Sequence, residues 1–125
     1  MAEGQPCRLL IVDDDRTILR LCSVILARQG FDVITAETGR EGLRLAAETP
    51  IDAMVLDINL PDLPGLEVMR QVLKTRSMIV FLMTGDIQYN QEAAIKEGAV
   101  AVIHKPIQIA EVALRIRQVL ADRSK

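Results

Sequence analysis

The stretch Leu9-Leu10-Ile11-Val12-Asp13-Asp14-Asp15 sets four apolar residues directly against three carboxylates. A short apolar run without alternation reads as a strand covered on both faces, and such strands belong to parallel sheets held between helical layers. Further runs of strand length follow: Phe31 to Thr35 with Asp32 interposed, Ala53 to Leu56, Met78 to Met83, and Val100 to Ile103. The Phe31 run, interrupted by a charge, suits an edge of the sheet.

Segments of helical period separate the runs. Ile18, Leu21, Cys22, Ile25 and Leu26 form the stripe of one helix face, with Gly30 as its stop. Leu43, Ala46 and Ala47 form a weaker stripe, and Leu66, Met69, Val72 and Leu73 a third. Ala93, Ala94 and Ile95 lead to a stop at Gly98, and Ile109, Val112, Ala113, Ile116 and Leu120 complete the set. Five strands alternating with five helices through short links imply right-handed crossovers and a three-layer, doubly wound α/β fold. No linker, repeat or low-complexity segment interrupts the order, so residues 1–125 read as one domain with a core of about 7–121.

Composition agrees. A chain of 125 residues, half of them apolar, has material for one ordinary core. Lys and Arg total 15 against 17 for Asp and Glu, and a net charge of -2 provides no field to attract nucleic acid or an anionic membrane. The start, Met1 to Arg8, lacks a basic region followed by an apolar run, and no stretch approaches the roughly 18 apolar residues of a membrane span, so the expected location is cytoplasmic. Cys7 and Cys22 lie in no C-x-x-C pattern and read as reduced thiols. With one His in the chain, a structural zinc site lacks ligands.

In an open parallel sheet, ligands bind beyond the carboxyl ends of the strands. Those ends here carry the chemistry: Asp13, Asp14 and Asp15 after Val12, Asp57 after Leu56, Thr84 after Met83, and Lys105 after Ile103 and His104. Asp13, Asp14 and Asp57 converging on one pocket would repel one another unless a cation joined them. All-oxygen ligands beside a phosphate favour Mg2+, with Mn2+ able to substitute. A carboxylate is a competent nucleophile toward phosphorus, and Asp57 is the best-placed candidate. Lys105 and the Thr84 hydroxyl are positioned to meet charge on a transferred phosphoryl group. Gly85 adds a backbone N–H and no side chain to obstruct a bulky donor.

Taken in order, Leu9 to Asp15, Met54-Val-Leu-Asp-Ile-Asn-Leu-Pro-Asp-Leu-Pro-Gly-Leu-Glu-Val-Met69, Met83-Thr84-Gly85 and His104-Lys105-Pro106 resemble the receiver domain of response regulators in two-component signalling, over nearly the whole chain. The resemblance implies a flavodoxin-like five-stranded sheet of order 2-1-3-4-5 with five helices. It implies that Asp57 accepts a phosphoryl group from a histidine kinase or histidine phosphotransfer protein, the chain acting as a signalling phosphoacceptor and not as a metabolic enzyme. Asp14 would hold Mg2+ directly, Asp13 largely through water, and Asp57 and the Asn59 backbone carbonyl would complete the protein ligands. Thr84 would be the switch hydroxyl and Lys105 its partner at the phosphoryl group, with a cis Lys105-Pro106 bond. Asn59 and Asp86 would flank an attacking water and tune the phosphoryl lifetime. A downstream protein would read the face of the fourth helix, fifth strand and fifth helix, with no direct nucleic-acid or membrane binding. Two departures touch output: the family often has Tyr or Phe where Val102 stands, and the stretch from Thr84 to Gly98 is slightly short.

Plainer or rival readings exist for several of these residues. Asp15 reads as a helix cap, His104 as a structural residue, and Arg115, Arg117 and Arg123 as a solvated helix face. Asp13-Asp14-Asp15-Arg16-Thr17 also fits the D-x-D-x-T pattern of haloacid dehalogenase-like enzymes, with Asp13 as nucleophile and Asp15 as acid/base, but the late acidic motif is missing and Asp57 is left unexplained. A receiver fold used only as an interaction module, never phosphorylated, is the other alternative. The chain reads either as a stand-alone regulator or as a receiver cut from a larger protein.

Overall fold

The computed structural model describes residues 6–123. Elements run β1 (Arg8–Val12), α1 (Arg16–Arg28), β2 (Asp32–Ala36), α2 (Gly39–Glu48), β3 (Ala53–Asp57), α3 (Gly65–Thr75), β4 (Ile79–Thr84), α4 (Gln91–Lys96), β5 (Ala101–His104) and α5 (Ile109–Arg123). All neighbouring strands pair in parallel, in the order β2-β1-β3-β4-β5, so the charge-interrupted second strand does lie at an edge.

Alternate residues of each inner strand feed opposite cores. Leu9, Ile11, Val55, Phe81 and Met83 pack with Leu19, Cys22 and Leu26 of α1 and Val112, Ala113 and Ile116 of α5. Leu10, Val12, Met54, Leu56 and Leu82 pack with Ala46 of α2, Val68, Met69 and Val72 of α3 and Ala94 of α4. Both faces of the inner strands are therefore dry, which is why those strands read as unbroken apolar runs.

Four strands extend further at their carboxyl ends than the apolar runs do. Asp57 pairs with Met83 and Thr84 with His104 in register, so β3, β4 and β5 include their first polar residue. β2 likewise continues to Ala36, paired with Val12. Pairing is a property of the backbone, and a polar side chain at a sheet margin does not interrupt it.

The helices hold smaller surprises. In α1 the buried line is Leu19, Cys22 and Leu26, whereas Leu21 is 48% exposed. The apolar arc of this helix is broader than its contact with the sheet, and Leu21 falls at the rim. Val68 carries more of the α3 contact than the half-buried Leu66 and Leu73. In α4 only Ala94 is buried and Ile95 faces outward. Just past the end of α1 and its cap Gln29, Gly30 turns the chain with a φ of +94°, strained for any side-chain-bearing residue. Asp15 caps α1, its carboxylate accepting from the Thr17 and Ile18 N–H groups. Arg117 is not merely solvated: its guanidinium stacks 4.7 Å above the Phe31 ring and donates to Gln29. Arg115 lies more loosely over Phe81, at 6.0 Å. Cys7 and Cys22 are free, buried thiols.

Candidate phosphoacceptor site

Parallel strands deliver their carboxyl ends to one edge, and that geometry assembles the site. The backbones of its residues are locked by sheet-type bonds: Asp13 N–H donates to the Ala36 carbonyl at 3.1 Å, Ile58 N–H to Met83 at 3.0 Å, and Lys105 N–H to Thr84 at 2.8 Å. Asp13, Asp57 and Thr84 are buried side chains, while Asp14 is exposed at the mouth.

Lys105 organises the charges. Its Nζ lies 2.8 Å from Asp57 Oδ2 and 3.0 Å from Asp13 Oδ2. Asp57 Oδ1 accepts the Asn59 N–H at 3.0 Å, and Asp13 Oδ1 accepts the Asp15 N–H at 2.9 Å. Asp13 Oδ2 receives no well-directed hydrogen bond despite its burial and the nearby ammonium. Burial pushes the Asp13 carboxyl above the usual carboxylate range; the Asp15 N–H and Lys105 oppose the shift, and the Asp57 charge adds to it. Burial also works against the Lys105 charge, but its hydrogen bond to Asp57 and the adjoining Asp13 carboxylate outweigh it and raise the ammonium above an ordinary lysine.

One oxygen each from Asp13, Asp14 and Asp57 lie within 4.8 Å of one another. One Lys cannot neutralise three carboxylates, and Asp13 Oδ2, paired with Lys105 by charge, still lacks a well-directed donor. A hard divalent cation suits this all-oxygen set. Beside Asp14 a cleft of about 420 Å³ is lined by Asn59, Leu60, Pro61, Asp62 and Pro64.

The remaining candidates fall around this centre in different ways. The Thr84 hydroxyl accepts the Asp86 N–H at 3.0 Å, and so is engaged with its own loop and not with Asp57. Asp86 Oδ1 in turn accepts the Gln88 N–H at 2.9 Å. A Cβ on Gly85 would meet nothing within 4 Å, so the approach there is open. The Lys105–Pro106 bond is cis. Val102 is buried in the same core as Ala94 and Ala99, and no aromatic stands at that position. Asn59 is exposed and His104 is exposed at the end of β5.

Sequence patterns did not reveal what holds the loop after Asp57. Gly65 N–H donates to the Ile58 carbonyl at 2.8 Å, and a Cβ on Gly65 would come within 2.2 Å of the Asp57 carbonyl oxygen, so only glycine fits. Asp62 accepts the N–H groups of Gly39 and Arg40 at the start of α2, a contact across 23 and 22 positions that no local signal announces.

Comparison with known proteins agrees with this geometry. Residues 9–117 match the family described as the response regulator receiver domain. The chain is 36% identical to the alkaline phosphatase synthesis transcriptional regulatory protein PhoP of Bacillus subtilis, over 90% of this chain and 48% of that protein. It is 38% identical to the response regulator MprA of Mycolicibacterium vanbaalenii, over 92% of this chain and 51% of that one. The chain thus spans about half the length of the curated relatives it matches. Among solved structures, a CheY-like receiver domain protein from Methanospirillum hungatei superposes with a TM-score of 0.87 at 31% identity, covering 96% of this chain and 98% of that one. Five parallel strands in the order 2-1-3-4-5, the strand-end carboxylates facing a lysine, and the match over residues 9–117 lead to one assignment: the chain belongs to the response regulator receiver domain family.

Proposed function

We propose that the chain is a single receiver unit, with a core of about 7–121, that accepts a phosphoryl group on Asp57 from a histidine kinase or histidine phosphotransfer protein and signals by a change of shape. The observation that carries this reading is the placement of Lys105 between the buried carboxylates of Asp57 and Asp13 at the carboxyl edge of the sheet. In the transfer, an Asp57 carboxylate oxygen bonds to phosphorus as the P–N bond to the donor imidazole breaks, the bonding pair leaving with the nitrogen. Lys105, already 2.8 Å from the acceptor oxygen, meets the negative charge of the phosphoryl oxygens. The open approach at Gly85 admits the donor. The Thr84 hydroxyl, which accepts the Asp86 N–H and keeps its own O–H to donate, turns toward the new phosphoryl group, and that movement biases the segment from Thr84 to Pro106 between two forms.

Asp13, Asp14, Asp57 and the Asn59 carbonyl would hold Mg2+, or Mn2+ in its place, which supplies positive charge to the phosphoryl oxygens when bound. Asn59 and Asp86 flank the water path and tune the phosphoryl lifetime. The face of α4, β5 and α5 is the proposed surface for a downstream protein; Val102, buried in the core, stands where the family often has a switching aromatic and has no assigned role in output. We assign a cytoplasmic role; among the described residues no helix is long and apolar enough to cross a membrane. The dehalogenase-like alternative is not carried forward, because Asp15 is occupied as the α1 cap and the family match is to receivers.

Intact mass after incubation with Mg2+ and acetyl phosphate tests the reading. The native chain should gain one phosphoryl group, Asp57→Asn none and Asp13→Asn less. Labelling of Asp57→Asn equal to native overturns Asp57 as acceptor, and no labelling of the native chain by acetyl phosphate or by phosphohistidine proteins leaves a pure interaction module.

A further inference from the structure

We propose that Asp62 is a positioning residue for divalent-cation binding, holding the loop that presents the Asn59 carbonyl at a set distance from the acidic pair. The inference rests on reading the Asp13, Asp14 and Asp57 cluster, together with the Asn59 carbonyl, as a Mg2+ site.

The loop between β3 and α3 is closed at its base by the Gly65 N–H to the Ile58 carbonyl and by the bridge between Asn59 and Pro64. Leu60 and Leu63 pack its tip against the core, and one side chain bonds that tip to α2. Asp62 Oδ1 accepts the Gly39 N–H at 2.8 Å and the Leu63 N–H at 3.0 Å, and Oδ2 accepts the Arg40 N–H at 2.9 Å. The Asp62 side chain is 22% exposed in a residue that as a whole lies exposed on a surface loop. Gly39 and Arg40 open α2, where backbone N–H groups lack partners within the helix. Charge-assisted bonds to such groups are among the stronger ones a carboxylate makes.

The other end of this strut is equally well seated. A Cβ on Gly39 would come within 2.9 Å of Val68 Cγ2, and one on Gly42 within 3.0 Å of Val12 Cγ2. α2 therefore rests directly on the residue that precedes Asp13. A closed frame results: from Asp13 back to Val12, across to α2, through Asp62 to the loop, and along Asn59 to Asp57. A cation held between the acidic pair and the loop carbonyl draws ligands from both ends of that frame. Mg2+ demands near-ideal octahedral geometry, so slack in the frame costs affinity.

The plainer account is that Asp62 only caps α2. Thr38 separates the two, because its hydroxyl caps the same helix through the Glu41 N–H at 3.1 Å and does not touch the loop. Mg2+ affinity is read from amide chemical shifts during a MgCl2 titration, with melting temperature followed in parallel. Asp62→Ala should weaken Mg2+ binding about 10-fold, the low end for residues that orient metal ligands. Thr38→Ala should lower the melting temperature and leave Mg2+ affinity within about two-fold of native, since a lost cap acts on the helix alone. Equal affinity of Asp62→Ala and native, or equal weakening by Thr38→Ala, overturns the proposal. Should Asp62→Ala fail to fold, Asp62→Asn replaces it, and native affinity in that variant is likewise fatal. Failure of the native chain itself to bind Mg2+ removes the metal reading and this inference together, whereas native binding with unaffected variants removes only this one.

Discussion

Neutralising Asp13 should stabilise the metal-free protein, although Asp13 is wholly buried. At an effective dielectric constant near 20, opposite unit charges 3.0 Å apart attract by about 5.5 kcal/mol, which is what Asp13→Asn gives up at Lys105. Like charges at 4.8 Å, the limiting separation among the three carboxylates, repel by about 3.5 kcal/mol. Asp57 contributes that repulsion in full and the exposed Asp14 a screened part of it, so the charge terms nearly cancel. What remains is the desolvation of a carboxylate with 0% exposure, one of whose oxygens has no directed donor. A buried acceptor left in that state costs about 1–3 kcal/mol. Asn retains an oxygen for the Asp15 N–H but turns its amide NH2 toward Lys105, which gives back part of the gain, so the expected net gain is about 1 kcal/mol, or roughly 3–5 °C for a chain of this size. The raised Asp13 carboxyl has the same sign, since a charge disfavoured by the fold destabilises it above the folded titration point. Thermal melts in EDTA and in MgCl2 check both halves. Asp13→Asn should melt higher than native in EDTA and gain less from Mg2+, because the added stability follows the metal's affinity for the folded state. A lower melting temperature for Asp13→Asn in EDTA would refute the reasoning.

Other perturbations have defined outcomes. Gly65→Ala drives a Cβ to within 2.2 Å of the Asp57 carbonyl oxygen; chemical denaturation should show a loss of about 3 kcal/mol or more, and the mass assay a loss of labelling. Arg76→Met removes donors to the Ala46 carbonyl at 2.5 Å and the Ile51 carbonyl at 3.2 Å, and should cost about 1–3 kcal/mol in the same denaturation assay while labelling persists. Burial raises both Cys7 and Cys22 from 9.0 to about 11, so the folded chain should resist thiol reagents at neutral pH and react fully once unfolded. The folded thiols titrate later than the unfolded ones. Their contribution is thus whole below pH 9 and is lost as pH rises toward 11, and melts of Cys7→Ala and Cys22→Ala should show a smaller decline than native across that window.

Much of this protein was determined locally. Unbroken apolar runs such as Leu9 to Val12 require cover on both faces, and five runs of strand length separated by helical stripes, all but the Asp32-interrupted one of this kind, leave little besides a parallel sheet between helical layers. The interposed Asp32 marked the edge strand for the same reason, since a charge is tolerated where one side meets water. Chain order also put Asp13, Asp14, Asp57, Thr84 and Lys105 at strand ends, and parallel pairing does the rest of their convergence. Features that depend on contacts distant in sequence emerged only from the tertiary structure. Which residues of the apolar arc of α1 meet the sheet, leaving Leu21 outside, depends on how that helix sits against β1 and α5. The extension of β3 and β4 through Asp57 and Thr84 depends on a partner backbone, which side-chain polarity does not report. The turn of the Thr84 hydroxyl toward Asp86, the stacking of Arg117 on Phe31 and the grip of Asp62 on α2 are likewise pairings chosen by the folded geometry. Periodicity carries burial, because burial repeats with the element, whereas a hydrogen bond between residues 62 and 39 repeats with nothing and is decided only when the chain has folded.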